Sequence, residues 1–325
     1  RAKHLIANYP REAGGYVQAA QAKLGQRNYD RALYYLDLGL EIDPENTHAL
    51  NLKIMIGGII GDGATDQTIS DALHLNPENA STIANHGMQL LRQGKVNEAL
   101  DRLSYALSLD PTNNLARYAM GEAMKNKFWP YKMFFKYGQF AAKLSGKSSW
   151  TFIIGAYIVY QILNWLADKN EILRPFLTPV IYIILGLFLL TWVMDPLMNL
   201  YLLSNKYGRL LLDADDKKMA KLCGVSLSVA IISLALHFYL GTPPFLMCAL
   251  AFGLFLIPLG TFLKPNRNSN RKLTKALTIG IVSVGALGAV LNIELLLIVS
   301  FIGIFGYQWL INGIMIKENA RVFGD

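Results

Sequence analysis

Residues 80–113 read ASTIANHGMQLLRQGKVNEALDRLSYALSLDPTN, and the fold of the first part of the chain can be inferred from this segment. Small or apolar residues recur where two neighbouring helices would meet, namely at Gly87, Ala99, Leu103 and Ala106. This spacing predicts a first helix that crosses a second helix at Gly87 and packs on an apolar stripe of that second helix. Pro111 then ends the second helix.

The same pattern recurs along the first part of the chain. Residues 15–46 carry small or apolar residues at the matching places, and four prolines are spaced 34, 33 and 34 residues apart, at Pro10, Pro44, Pro77 and Pro111. The repeat that lies between residues 15–46 and residues 80–113 matches the pattern less well, because it is one residue shorter and has Ile54 where the others have a small residue. A helix–turn–helix unit of about 34 residues resembles the tetratricopeptide repeat family. Residues 1–127 then form an array of about three and a half repeats, truncated at the N-terminus and closed by a capping helix.

The resemblance implies a function for the first helix of each repeat. In such arrays these helices line a concave wall that binds an extended peptide or a partner helix. The expected lining residues are Val17, Gln21, Asn51, Met55, Ala84, Met88 and Leu91. An alternative is that Met55 and Met88 only pack between helices. The basic clamp with which one subfamily holds a carboxylate is missing at the corresponding places, which argues against a receptor for chaperone tails.

The rest of the chain has a different composition. Overall, 53% of the residues are hydrophobic and 17% are charged, with a mean hydropathy of +0.28. The net charge of +8 divides into −3 for residues 1–124 and +11 for residues 125–325. The positive charge therefore belongs to the apolar part, which is typical of a membrane protein and argues against nucleic acid as a partner. Two cysteines exclude a disulfide scaffold and a multi-cysteine metal site.

The apolar part predicts a membrane domain at residues 149–316, within an all-α protein. A span needs about 20 apolar residues. Six segments qualify, at residues 150–167, 175–194, 220–240, 244–263, 273–291 and 293–316. The connections at 241–243 and 292 are so short that spans three and four, and spans five and six, are expected to form tight hairpins.

The orientation follows from the basic residues that flank the spans. One side has 18 Lys and Arg residues and the other has two, Lys169 and Arg174. Because the side rich in Lys and Arg faces the cytosol, the repeats and the tail at residues 317–325 are expected to be cytosolic. We expect a multi-pass protein of the cytoplasmic (inner) membrane.

Residues 128–148 join the two parts. Aromatic residues alternate there with lysines in a pattern typical of a helix in the lipid headgroup region. The expected membrane-interface residues are Trp129, Lys132, Phe135, Lys136, Phe140 and Lys143. The alternative is a linker helix packed on the membrane domain.

The membrane domain offers few groups for chemistry. Ionisable residues inside lipid are candidates for function, and Asp195 and His237 are the two such residues, both expected near an interface. The chain has no HExxH metalloprotease motif, no Gly-x-Ser-Gly protease setting and no phosphate-binding glycine loop. We therefore expect a protein that is not an enzyme and that needs no metal or cofactor.

The chain has repeats, then an aromatic–basic linker, then a membrane bundle. In this order of segments it resembles a group of bacterial multi-pass membrane proteins with tetratricopeptide repeats. The resemblance implies an architecture and no particular activity. Our first hypothesis is a membrane-anchored scaffold whose cytosolic repeats bind a protein partner. Its further contacts would be membrane lipids and another membrane subunit or a second copy of the chain. The alternative is a small transporter or channel regulated by the repeats.

Overall fold

The computed structural model describes residue 6 and residues 10–62, 65–143 and 146–322, although not the side chains of 141–154, 156, 157, 187 and 319–322. The described residues form helices and turns and contain no strand, so the all-α class is confirmed. The partial repeat predicted at residues 1–10 lies mostly outside the described residues. The chain divides into two compact units, one with residues 1–185 and 320–325 and the other with residues 186–319.

Nine helices are described between residues 13 and 169. They are α1 (Ala13–Gly25), α2 (Tyr29–Ile42), α3 (Thr47–Ile60), α4 (Thr65–Leu75), α5 (Ala80–Arg92), α6 (Val96–Leu109), α7 (Asn114–Lys125), α8 (Trp129–Lys143) and α9 (Gly146–Lys169). The long helix α10 (Arg174–Ser204) begins in this unit and ends in the other.

An asparagine begins each of three successive odd-numbered helices. The side chains of Asn46, Asn79 and Asn113 accept a hydrogen bond from the backbone N–H three residues later, at 3.0, 2.9 and 3.0 Å. Each asparagine stands two residues after a proline. The proline prevents the preceding helix from continuing, and the asparagine satisfies an N–H that the next helix leaves unpaired. The proline period is therefore also the period at which helices start.

Small residues let the two helices of a hairpin approach closely. In α5, a Cβ added at Gly87 would lie 2.6 Å from Cγ of Leu103 in α6. Ala99, Leu103 and Ala106 of α6 are fully buried, as the sequence pattern predicts. Packing at this density leaves no room for an extra methyl group. The crossing of α5 and α6 is thus fixed by Gly87.

The helices of the first unit pack in sequence. α1 pairs with α2, α3 with α4, and α5 with α6. The odd-numbered helices also lie beside one another, α1 by α3, α3 by α5 and α5 by α7. We call the surface formed by α1, α3, α5 and α7 the odd-helix wall.

The second unit contains the end of α10 and six further helices. They are α11 (Gly208–Leu211), α12 (Ala214–Leu240), α13 (Pro243–Leu254), α14 (Leu256–Leu259), α15 (Asn268–Leu291) and α16 (Glu294–Val322). By length and composition, α10, α12, α15 and α16 are able to cross a membrane. Large apolar side chains such as Phe238, Val290 and Trp309 are exposed on these helices. These features indicate a membrane protein. The four helices contain the predicted spans 175–194, 220–240 and 273–291, and all of the predicted span 293–316 except its first residue.

The predicted span 244–263 is broken in the structure. α13 ends at Leu254, and α14 is a separate helix of four residues that contains Pro258. Pro258 has no N–H to donate to the carbonyl of Leu254, which explains why the helix ends there. The expected tight connections are present, with Gly241 and Asn292 in the left-handed conformation at φ 67° and 54°. The first predicted span, 150–167, falls in α9, and many side chains of α9 lie outside the description.

Candidate functional site

The odd-helix wall is the candidate site, and the structure places its predicted residues at two depths. Val17, Ala84, Met88 and Leu91 are buried in the apolar cores between helices. Gln21, Asn51 and Met55 are half-buried at the surface of the wall. The second group is therefore the part of the wall that a ligand could reach, while the first group holds the helices together.

Polar side chains bridge neighbouring helices of the wall. The side-chain amide nitrogen of Gln21 in α1 lies 2.8 Å from Nε2 of His48 in α3. In the next pair, the amide of Asn85 in α5 donates to the side-chain oxygen of Asn51 in α3 at 2.9 Å. Asn85 is buried, so this hydrogen bond offsets the cost of removing its amide from water. The two bridges fix the spacing of α1, α3 and α5.

Helix α8 borders the wall, because it packs beside α3 and its Phe135 contacts the apolar core of α5, α6 and α7. A buried polar cluster ties its first turn to α7. The hydroxyl of Tyr131 donates to Oε2 of Glu122 at 2.6 Å, and Nζ of Lys125 donates to Oε1 at 2.9 Å. Both carboxylate oxygens of Glu122 thus have a partner, which a buried charge requires. Sequence reasoning missed this cluster, although Glu122 and Lys125 stand three residues apart on one helix.

The outer face of α8 carries exposed apolar side chains. Trp129, Met133 and Phe140 are 71%, 55% and 50% exposed. Lys136 is exposed and Lys132 half-buried beside this face, whereas the predicted interface residue Phe135 points into the helical core. The side chain of Lys143 lies outside the described residues. An aromatic face flanked by lysines has the composition that suits the headgroup region of a bilayer.

An open pocket of about 410 Å³ lies between α5 and α6, lined by His86, Leu90, Glu98, Asp101, Arg102 and Tyr105. Nδ1 of His86 is buried there without a hydrogen-bond partner. Burial lowers the pKa of His86 below its ordinary value near 6.5, and Arg102 lowers it further. Asp66 and Glu98 oppose this shift. His86 therefore favours its neutral form.

The two ionisable membrane residues are engaged in different contacts. Asp195 lies 3.5 Å from Nζ of Lys264 in an ion pair that is partly exposed. His237 lies near the end of α12, where its Nδ1 is 2.9 Å from the carbonyl oxygen of Thr242. Since a carbonyl only accepts, Nδ1 carries the proton. His237 thus stabilises the turn between α12 and α13, and Asp195 holds the loop after α14.

Hydroxyl groups inside the second unit bond to backbone carbonyls around the broken helix. Ser226 donates to the carbonyl of Phe252 at 2.7 Å, and Thr274 donates to that of Phe262 at 2.8 Å. A broken helix leaves backbone carbonyls without their usual partners, and neighbouring hydroxyls can satisfy them. These polar groups support the packing of α12 and α15 on the broken helix.

Among the described side chains, no group of three or more His, Cys, Asp or Glu residues could hold a metal ion. No protein-family profile matches the chain, and no curated protein matches it. The site must therefore be interpreted from its own geometry.

Proposed function

We propose that this protein is a membrane-anchored adaptor whose odd-helix wall binds a protein partner. The observation that carries this proposal is the packing of α1, α3, α5 and α7 side by side into one surface. Stacked helical hairpins with this arrangement commonly bind peptides on such a surface. The 34-residue spacing and the asparagine caps support assignment of the hairpins to the tetratricopeptide class.

The second part of the proposal concerns the membrane anchor. We propose that six spans hold the chain in the cytoplasmic membrane of a bacterium, with the repeats and the C-terminus in the cytosol. Four apolar helices and the distribution of 18 against two basic residues support this topology. The outer face of α8, with Trp129, Met133 and Phe140, would lie against the lipid headgroups. A reporter enzyme fused after Asp325 tests the orientation, since activity outside the cytosol contradicts it.

The partner-binding claim is tested with the full-length chain in its membrane. Met55→Trp adds bulk to the half-buried surface of the wall, and Tyr34→Trp adds the same side chain to the exposed face of α2. After chemical crosslinking and affinity purification, a specific partner is expected with the wild type and with Tyr34→Trp, and not with Met55→Trp. Equal recovery of partners by both variants contradicts the proposal.

The alternative, a transporter regulated by the repeats, requires flux. The hydroxyls of Ser226 and Thr274 are engaged by backbone carbonyls rather than lining an open path, which favours the anchor. Purified full-length protein in liposomes is expected to leave the permeability to small ions unchanged. Flux that requires the protein would support the alternative.

A further inference from the structure

Charge is distributed unequally between the two sets of helices in the first unit. The even-numbered helices α2, α4 and α6 contain two Lys or Arg residues and seven carboxylates. The odd-numbered helices contain one carboxylate, Glu122, and five basic residues, which are Lys23, Lys53, Arg92, Arg117 and Lys125. The helices that form the wall are therefore basic, although residues 1–124 as a whole carry a net charge of −3.

Several of these basic side chains are already engaged within the chain. Lys53 forms an ion pair with Asp37 of α2 at 2.7 Å, and Lys125 pairs with Glu122 at 2.9 Å. Lys23 donates to the side chain of Gln26 at 3.0 Å. Lys53 and Lys125 therefore already have a carboxylate as partner, whereas Lys23 keeps its charge beside its hydrogen bond to a neutral amide.

Arg92 differs from them. Within the described part of the chain, no hydrogen bond or ion pair is formed by its guanidinium, which is half-buried at the end of α5. The guanidinium lies over the backbone of Gly58 in α3, where an added Cβ would overlap with Nη1. That Cβ would also lie 2.8 Å from Oε1 of Gln89, a buried oxygen without a partner. Gly58 therefore provides the space in which Arg92 and Gln89 lie together on the wall.

The electrostatic setting of Arg92 favours an external anion. Burial lowers the pKa of its guanidinium, and Tyr118 of α7 is the neighbouring group that opposes the shift. The group remains charged at neutral pH, because arginine titrates far above it. Removing a cation from water without a counter-ion costs free energy, and an incoming carboxylate would recover part of that cost.

We propose that Arg92 binds a carboxylate of an acidic segment in the protein partner that docks on the odd-helix wall. This inference rests on the proposed function and specifies the chemistry of the partner. A peptide fits better than a nucleic acid, because a nucleic acid requires a row of phosphate contacts. The described wall offers Arg92 rather than a row of unpaired cations, because Lys53 and Lys125 have carboxylate partners and Arg117 is already engaged.

The test uses the full-length chain in lipid nanodiscs and two fluorescent peptides, one with glutamate alternating with leucine and one with glutamine in place of glutamate. Fluorescence anisotropy measures their affinities at low salt. We expect the glutamate peptide to bind about tenfold more tightly, as is common for one partly desolvated charge pair. The difference is expected to shrink as salt is added.

Two variants and one control assign the effect to Arg92. Arg92→Glu is expected to abolish the preference for glutamate, and Arg31→Glu, the same charge reversal on an exposed position of α2, is expected to retain it. Gly58→Ala is expected to weaken the preference by displacing the guanidinium without changing charge, while alanine favours the helix. This second variant remains informative if Arg92→Glu fails to fold.

Equal binding of the two peptides, or binding of neither, overturns the inference, as does tighter binding of a thymidine oligonucleotide. If both peptides bind equally and Met55→Trp abolishes their binding, the wall still binds peptides and the proposed function stands. If neither peptide binds, the crosslinking experiment with Met55→Trp decides the proposed function separately.

Discussion

The hydroxyl of Tyr131 lies 2.6 Å from Oε2 of Glu122, and both side chains are almost inaccessible, at 2% and 6% exposure. This hydrogen bond joins the linker helix α8 to α7, the last helix of the wall. Because Glu122 is charged and buried, it depends on Tyr131 and Lys125 for its hydrogen bonds. The linker is therefore fastened to the first unit at its N-terminal turn.

Tyr131→Phe removes this hydrogen bond, so Oε2 of Glu122 loses the donor that Tyr131 provides. We expect a loss of about 1–3 kcal/mol in the stability of the first unit, the usual cost of an unsatisfied buried polar group. Thermal unfolding in detergent and limited proteolysis between α7 and α8 measure the loss. Tyr34→Phe removes a hydroxyl from an exposed ring and serves as the control. Equal effects of the two variants would contradict the role of the Glu122 cluster.

Gly87→Ala tests the close approach of α5 and α6. The added methyl would collide with Leu103, which is fully buried, so we expect destabilisation of about 1–3 kcal/mol. Gly14→Ala is matched to it, because a Cβ at Gly14 meets nothing within 4 Å. That change is expected to be neutral or to stabilise α1 by up to about 1 kcal/mol. If the two variants unfold at the same temperature, the crossing at Gly87 is not tightly packed.

His86 predicts a pH dependence of stability. Its pKa is lowered in the folded state, so the unfolded chain binds the proton first as the pH falls. The contribution of neutral His86 to the free energy of unfolding is therefore fully present above about pH 6.5. It decreases below that pH, until the pH passes the lowered pKa of His86 in the folded state. Unfolding measured between pH 7.5 and 5.5 should show this decrease in the wild type and a weaker one in His86→Gln. Identical profiles of the wild type and His86→Gln would rule out His86 as the cause. Asp110 does not interfere, because hydrogen bonds from Thr112 lower its pKa and its contribution to stability is lost only at more acidic pH.

Gly285→Ala tests the packing inside the second unit. A Cβ there would overlap with Oγ of Ser300 and lie 2.7 Å from Cζ of the buried Phe255. We expect a loss of about 1–3 kcal/mol, seen as a lower melting temperature in detergent. In the same helix, Gly280→Ala introduces a methyl that meets nothing within 4 Å. That control is expected to melt like the wild type, and a melting temperature as low as that of Gly285→Ala would contradict specific packing at Gly285.

The outer face of α8 is tested with spin labels in a chain whose Cys223 and Cys248 are replaced by alanine. A label at Met133→Cys in nanodiscs is expected to collide more often with oxygen, which dissolves in lipid, than with a water-soluble nickel chelate. A label at Glu41→Cys, on the exposed face of α2, is expected to show the opposite preference. The same preference at both positions would argue against contact between α8 and lipid.

The sequence predicted the regular parts of this protein well. The 34-residue period identified the turns of the first unit, since a proline that ends one helix is followed at a fixed distance by an asparagine that begins the next. The buried stripe of Ala99, Leu103 and Ala106 followed from helical periodicity. Four of six predicted spans coincide with long apolar helices, because length and composition suffice to define such helices.

The candidate site was predicted less completely. Helical periodicity does not distinguish an exposed residue of the wall from a buried residue beneath it. Val17 and Ala84 were therefore predicted to line the wall, whereas both are buried under it. The position of the Arg92 guanidinium depends on the space left by Gly58, which is 34 residues away and lies on another helix. No local pattern in the sequence contains that relationship.

Without coordinates, one can still derive the helical class, the repeat period and the separation of a mildly acidic part from a basic, apolar part. These properties follow from local periodicity and composition. Two features emerge only in three dimensions: α8 is fastened to α7, and Arg92 lies over Gly58 with no counter-ion among the described residues. Both features depend on contacts between side chains or backbone of different helices. Such contacts are settled by packing in three dimensions.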